Sequence, residues 1–139
     1  MASDPDISLI LPAYNEARVI GQTIAEAVGY FRKAGLRHEI IVAADGSDGT
    51  REKVREMARE NPALRAIGRD ARSGKGRGIR EAVELHDVEL FIVACPKDVT
   101  MFEDAIKTSG NSERIRLREL TELLEEAVAT PTEHFAIVP

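Results

Sequence analysis

Asp45, Gly46, Ser47, Asp48, Gly49 and Thr50 follow directly on five apolar residues, Ile40 to Ala44, in the stretch "IIVAADGSDGT". Two carboxylates, two hydroxyls and two glycines within six positions suit two kinds of chemistry. One is local. Asp, Ser and Thr accept hydrogen bonds from the free backbone N–H groups of a helix start, and Gly allows the tight turn. The other is recognition, because open α/β sheets bind ligands at the carboxyl ends of their strands. A second constellation is basic: "RDARSGKGRGIR", residues 69–80, interleaves Arg69, Arg72, Lys75, Arg77 and Arg80 with Gly74, Gly76 and Gly78. Glycines let backbone N–H groups approach an anion, and a helix N-terminus adds its positive dipole. The spacing is not that of a P-loop, which needs four residues between its first glycine and Gly-Lys, then Ser or Thr. A solvated loop would look the same in sequence. Carboxylates on one loop and cations on another would together suit a nucleotide, the first for base and ribose hydroxyls, the second for phosphates.

Such loops need a scaffold that brings them to one edge. Ile7–Leu11 is a short apolar run closed by Pro12, the pattern of a buried strand. Residues 16–34 place Val19, Ile20, Ile24, Ala27, Val28 and Phe31 on one helical face, and Gly35 stops the helix. The spacing then predicts a strand at 38–44, a helix at 48–60 ended by Asn61-Pro62, and a short strand at 64–68. A helix at 76–86 and a strand at 89–94 follow. Beyond them come a helix at about 98–108, a short strand at 114–117, a helix at 117–129 and a last strand in the tail "EHFAIVP". Strands alternating with helices argue for one mainly parallel sheet covered on both faces, an α/β three-layer sandwich. Residues 1–139 are expected to form a single α/β domain. Loops after the strands would then gather Pro12 to Glu16, Asp45 to Thr50, Arg69 to Gly78 and Cys95 to Asp98 on one edge.

Composition narrows the function classes. A charge of −5 argues against a general nucleic-acid binder, and with 4% aromatic residues and no tryptophan there is little to stack bases on. One cysteine, Cys95, excludes an internal disulfide and any all-cysteine metal site within one chain. Its simplest reading is a small buried apolar residue at a strand end. No apolar run has the length of a membrane span, and "MASDPDISLI" lacks a basic segment followed by an apolar one, so a cytoplasmic location is expected.

Three segments in order and spacing, "ISLILPAYNEARVIGQTIAEAV", "HEIIVAADGSDGT" and "RSGKGRGIREAV", resemble the N-terminal half of family-2 glycosyltransferases of the GT-A fold, over about residues 7–85. The resemblance implies a truncated GT-A, Rossmann-like fold. It also implies a nucleoside diphosphate or nucleotide sugar as ligand, usually with Mg or Mn. By position, Pro12, Ala13 and Tyr14 would line the nucleoside pocket with Glu16 beside it. Asp45 matches the family's base-contacting aspartate, and Lys75 would lie near the nucleotide. The departures are as specific. The family usually has two aspartates before Gly-Ser, and the first is Ala44 here. The next strand normally ends in an Asp-x-Asp-type metal motif, whereas 89–94 runs into Ala94-Cys95-Pro96 with no carboxylate until Asp98. The chain also stops before the family's acceptor half, so a donor-binding module without transferase activity is expected. An active transferase would need an atypical metal site, with Asp98 or Glu103 as oxygen ligands.

Residues 93–128 bear a fainter resemblance to the end of the cysteine-rich domain in heterodisulfide-reductase-type iron–sulfur subunits. A single cysteine cannot build a cluster there. Taken together, the two resemblances imply an engineered or recombined chimera joined near 86–88.

Overall fold

The computed structural model describes residues 5–85 and 87–129. Contacts between Cα atoms divide the chain into two compact units, with the boundary between Leu85 and His86. His86 and the proposed tail strand at 133–139 lie outside the described residues.

The first unit is built as β1 (Ile7–Tyr14), α1 (Ile20–Ala34), β2 (His38–Asp45), α2 (Thr50–Ala58), β3 (Leu64–Ile67) and α3 (Lys75–Val83). Its three strands are all parallel, in the order β1-β2-β3. The central strand is buried from Glu39 to Ala44, which is why its sequence is a continuous apolar run and does not alternate. Side chains on successive strand residues point to opposite faces. Ile40, Val42 and Ala44 accordingly join Ile24, Phe31 and Val54 in the core shared with α1 and α2. Ala43 points the other way, toward α3, where a Cβ added to Gly78 would come within 2.8 Å of the Ala43 methyl. Helices thus cover both faces of a parallel sheet, the α/β architecture expected from the sequence.

Two differences concern helix ends. The first helix was expected from residue 16 but begins at Ile20, because Val19 and Ile20 both donate to the Glu16 carbonyl in a preceding turn. Val19 is therefore half exposed and is not part of the buried core cluster that contains Ile24. At the other end Gly35 takes the left-handed conformation, φ +67°, and Leu36 donates back to the Phe31 carbonyl. That closes the helix as its glycine foretold.

The second unit contains β4 (Leu90–Val93), α4 (Pro96–Thr108), β5 (Arg116–Glu119) and α5 (Leu120–Ala129). Here the expectation of one sheet is corrected: β4 pairs with β5 in a separate two-stranded parallel sheet, Phe91 opposite Leu117. The crossover helix α4 packs through Phe102, whose ring meets Phe91 edge-on at 5.0 Å. The final helix, expected at 117–129 on a sheet face, starts at Leu120 and buries none of its residues. Cys95 is exposed, not buried, since it stands at the N-cap of α4 outside the strand. No helix among the described residues is long and apolar enough to cross a membrane.

Candidate functional site

Parallel register aligns the carboxyl ends of β1 and β2 so that Ala13 lies beside Ala44 and Tyr14 beside Asp45. At this edge a cleft of about 380 Å³ is lined by Pro12, Ala13, Tyr14, Asp45, Arg72, Gly74, Lys75 and Gly78. Five of the six residues expected at a nucleotide site are thus brought together. Glu16 is not among the lining residues. Its backbone N–H donates to the Thr50 hydroxyl at 2.9 Å, and its side chain is exposed.

The two aspartates after β2 divide the two chemistries that the sequence left open. Asp48 serves the turn. Its Oδ1 accepts the Thr50 N–H at 3.0 Å and the Thr50 hydroxyl at 2.6 Å, and its Oδ2 accepts the Ala17 N–H at 3.1 Å. The cap position itself is Gly49, in the left-handed region at φ +93°. Hydrogen bonds from the Thr50 hydroxyl first, then from the Ala17 amide, hold the Asp48 carboxyl below its ordinary carboxylate range. Lys53 adds a 2.8 Å bond to the Ala17 carbonyl, so the β1–α1 loop is pinned to the start of α2 from both sides.

Asp45 reaches across the sheet edge instead. Its Oδ1 accepts the Arg69 N–H at 3.2 Å and its Oδ2 the Ser73 N–H at 2.7 Å. With the Gly46 N–H donating to the Arg69 carbonyl at 2.9 Å, the loops after β2 and β3 are joined edge to edge. A carboxylate has about four acceptor positions, and two of these are filled by the hydrogen bonds from Arg69 and Ser73. Ala44, where the resembling family has another aspartate, is fully buried in the core cluster, and a methyl suits that place better than a charge would.

Sequence reasoning missed the group that fixes this edge. Arg51, second residue of α2, keeps only 8% of its side chain exposed. Its guanidinium donates to the carbonyl of Ala44 at 2.9 Å and that of Gly46 at 3.4 Å, on either side of Asp45, and pairs with Asp70 in the facing loop. No motif announces it, because a charge in the first turn of a helix ordinarily reads as solvated. Arg72 was visible in the glycine-rich stretch but not singled out. Its guanidinium carbon stands 4.8 Å from the centroid of the Tyr14 ring.

The backbone is also specialised here. Asn15 adopts a left-handed conformation at φ +55°. A Cβ on Gly46 would come within 2.5 Å of the Asn15 amide oxygen, and one on Gly68 would run into the Ala44 carbonyl. Non-glycine residues in that region are uncommon and concentrate at functional turns.

The carboxylate motif that holds a divalent cation in the resembling family has no counterpart at the end of β4. Among the described residues no group of three or more His, Cys, Asp or Glu side chains could hold a metal ion. The strand expected to end in its motif runs into Ala94-Cys95-Pro96, which contribute no carboxylate oxygen. The positive charge at the cleft comes from Arg72 and Lys75 and from the N-terminal end of α3.

Residues 8–108 match the family model "Glycosyl transferase family 2". Over 87 residues the chain is 38% identical to "Glycosyltransferase AglD" of Haloferax volcanii, covering 60% of this chain and 14% of that protein. With "Glycosyltransferase AglJ" of the same organism it shares 31% over 97 residues, 69% of this chain and 29% of the relative. With "Dolichyl-phosphate beta-glucosyltransferase ALG5C" of Trichomonas vaginalis it shares 26% over 127 residues, 87% and 36% respectively. The chain therefore spans little more than a third of these relatives at most. No solved structure gave a significant match.

Proposed function

Since the chain belongs to glycosyl transferase family 2, we propose that its first unit binds the nucleoside-diphosphate part of a nucleotide sugar in the cleft at the ends of β1 and β2. The observation that carries this reading is the register that sets Tyr14 beside Asp45, with Lys75 in the same lining. Tyr14 offers a ring face to a base, the free lone pairs of Asp45 offer acceptors to base or ribose, and Lys75 and Arg72 offer charge to the diphosphate. Cationic side chains and the α3 N-terminus take the place of a metal in this reading, so binding is metal-independent. Sugar transfer needs stabilisation of the departing diphosphate and a base for the acceptor. No residue of β4 or α4 is in a motif assignable to that base, and this chain alone is proposed to bind donor without transferring sugar.

Titration of the purified chain with uridine and guanosine diphosphates, with and without Mn²⁺, tests the reading. Binding unchanged by metal supports it, and no binding of either overturns it. Tight binding only with Mn²⁺ favours an active transferase with an atypical metal site. For a longer protein containing this module, the relatives named dolichyl-phosphate beta-glucosyltransferases make a lipid-linked phosphate the acceptor class to assay.

The division of the chain at Leu85 favours a second reading, two half-domains of different origin joined near 86–88. The family match runs on through Cys95 to residue 108, which weighs against it.

A further inference from the structure

Arg72 is placed differently from the arginines around it. Arg69 and Arg77 both pair with Glu81, whereas the contact of Arg72 is with an aromatic face. Tyr14 is held in place by pairing opposite Asp45 at the end of β1 and by the left-handed turn at Asn15. Arg72 sits on a long stem in the loop that precedes α3. Both side chains are exposed at the cleft, Tyr14 by 45%. Stacked aromatic pairs place their centroids about 4.5–7 Å apart. The guanidinium at 4.8 Å therefore fills the position that a nucleobase would need on this face.

We propose that Arg72 is a phosphate-released cover on the Tyr14 ring and so a specificity-determining residue, an inference that rests on the donor-site reading. An exposed cation–π contact is weak, and a bidentate charge-assisted pair with a phosphate is stronger. A diphosphate entering between Lys75 and the α3 N-terminus draws the guanidinium off the ring, and the base of the same ligand takes the vacated face. A nucleoside without phosphates must displace Arg72 and has no phosphate to hold the released guanidinium. The cleft thus selects for nucleotides carrying a diphosphate by linking the two halves of the ligand through one side chain.

The test compares uridine, guanosine, inorganic pyrophosphate and the two nucleoside diphosphates on the unaltered chain, Arg72→Ala and Tyr14→Leu. Affinities are read by NMR titration, and thermal melts check that each variant is folded. Arg72→Ala should bind the better nucleoside about two- to five-fold more tightly, the exposed cation–π strength expressed as a ratio of affinities. The same variant should bind pyrophosphate and the diphosphate about ten-fold more weakly. Tyr14→Leu should bind pyrophosphate about two- to five-fold more tightly, because Arg72 is no longer held by the ring. Nucleoside affinity that falls or stays the same in Arg72→Ala, while the diphosphate still binds the unaltered chain, overturns the cover and leaves the donor site standing. Failure of every ligand on the unaltered chain removes the donor site and the cover with it.

Discussion

Asp45 accepts the Ser73 backbone N–H at 2.7 Å, a bond that closes 28 residues of chain and turns a strand-end carboxylate into a latch for the basic loop. The carboxylate that would meet a ligand is thus also the one that sets where Arg72 and Lys75 begin.

Asp45→Asn keeps one acceptor oxygen and replaces the other with an amide that faces an N–H donor. Nucleoside diphosphate affinity should fall by about 1–3 kcal/mol, the range for losing a charge-assisted bond. Stability should fall as well, because one of the two loop N–H groups loses its acceptor. Calorimetric titration and urea unfolding read the two effects separately. Lowered stability with unchanged affinity would leave Asp45 as a loop brace alone.

Arg51 and Asp70 form a pair whose members should differ in cost. Arg51→Ala removes a buried guanidinium from two main-chain carbonyls and should cost about 2–3 kcal/mol. The Asp70 side chain is 81% exposed, so Asp70→Asn should cost under about 1 kcal/mol. Urea unfolding midpoints of the two variants check the order. Equal costs would mean that the ion pair, and not the carbonyl bonds, is what Arg51 supplies.

Asp48 gives the first unit a defined response to acid. Its carboxyl is held below its ordinary value in the folded chain, so it contributes stability above the unfolded value of about 3.9 and loses it as pH falls through the folded one. Asp48→Ala should melt at a lower temperature than the unaltered chain at pH 7. The gap should begin to narrow below about pH 4 and close as pH falls through the lower folded value, where the native carboxyl is protonated too. A gap that does not narrow with acid would assign the effect to packing.

Two glycines should respond to alanine with opposite signs. Gly68 has φ +120° and its added Cβ would strike the Ala44 carbonyl, so Gly68→Ala should destabilise by about 2 kcal/mol or more. Gly29 lies on the exposed side of α1 with nothing within 4 Å of an added Cβ, and Gly29→Ala should stabilise by about 0.5–1 kcal/mol. Thermal melts of both variants decide.

The sheet of the first unit was legible because burial on both faces leaves a simple trace: Ile40 to Ala44, short and flanked by helical patterns, reads as a central strand between two helical layers. Tyr14, Asp45 and Lys75 could be placed on one edge because parallel strands put all their following loops there. Arg51 and the main-chain partners of Asp45 were not legible. A carbonyl or amide acts through position and has no letter of its own, and a buried arginine is written like a solvated one. The partner of β4 was hidden for a related reason. "LFIV" says that a strand forms there, but the choice between β5 and another neighbour depends on how α4 and Phe102 pack.

Where the strands end, main chain rests on main chain or on a single methyl, at Gly68 over Ala44 and Gly78 over Ala43. Within the cleft, Gly74 and Gly78 present backbone alone, while Tyr14, Arg72 and Lys75 stand out as exposed side chains. A library varied only at positions 14, 72 and 75 would search ligand preference while leaving the Asp45 latch and these glycine contacts in place.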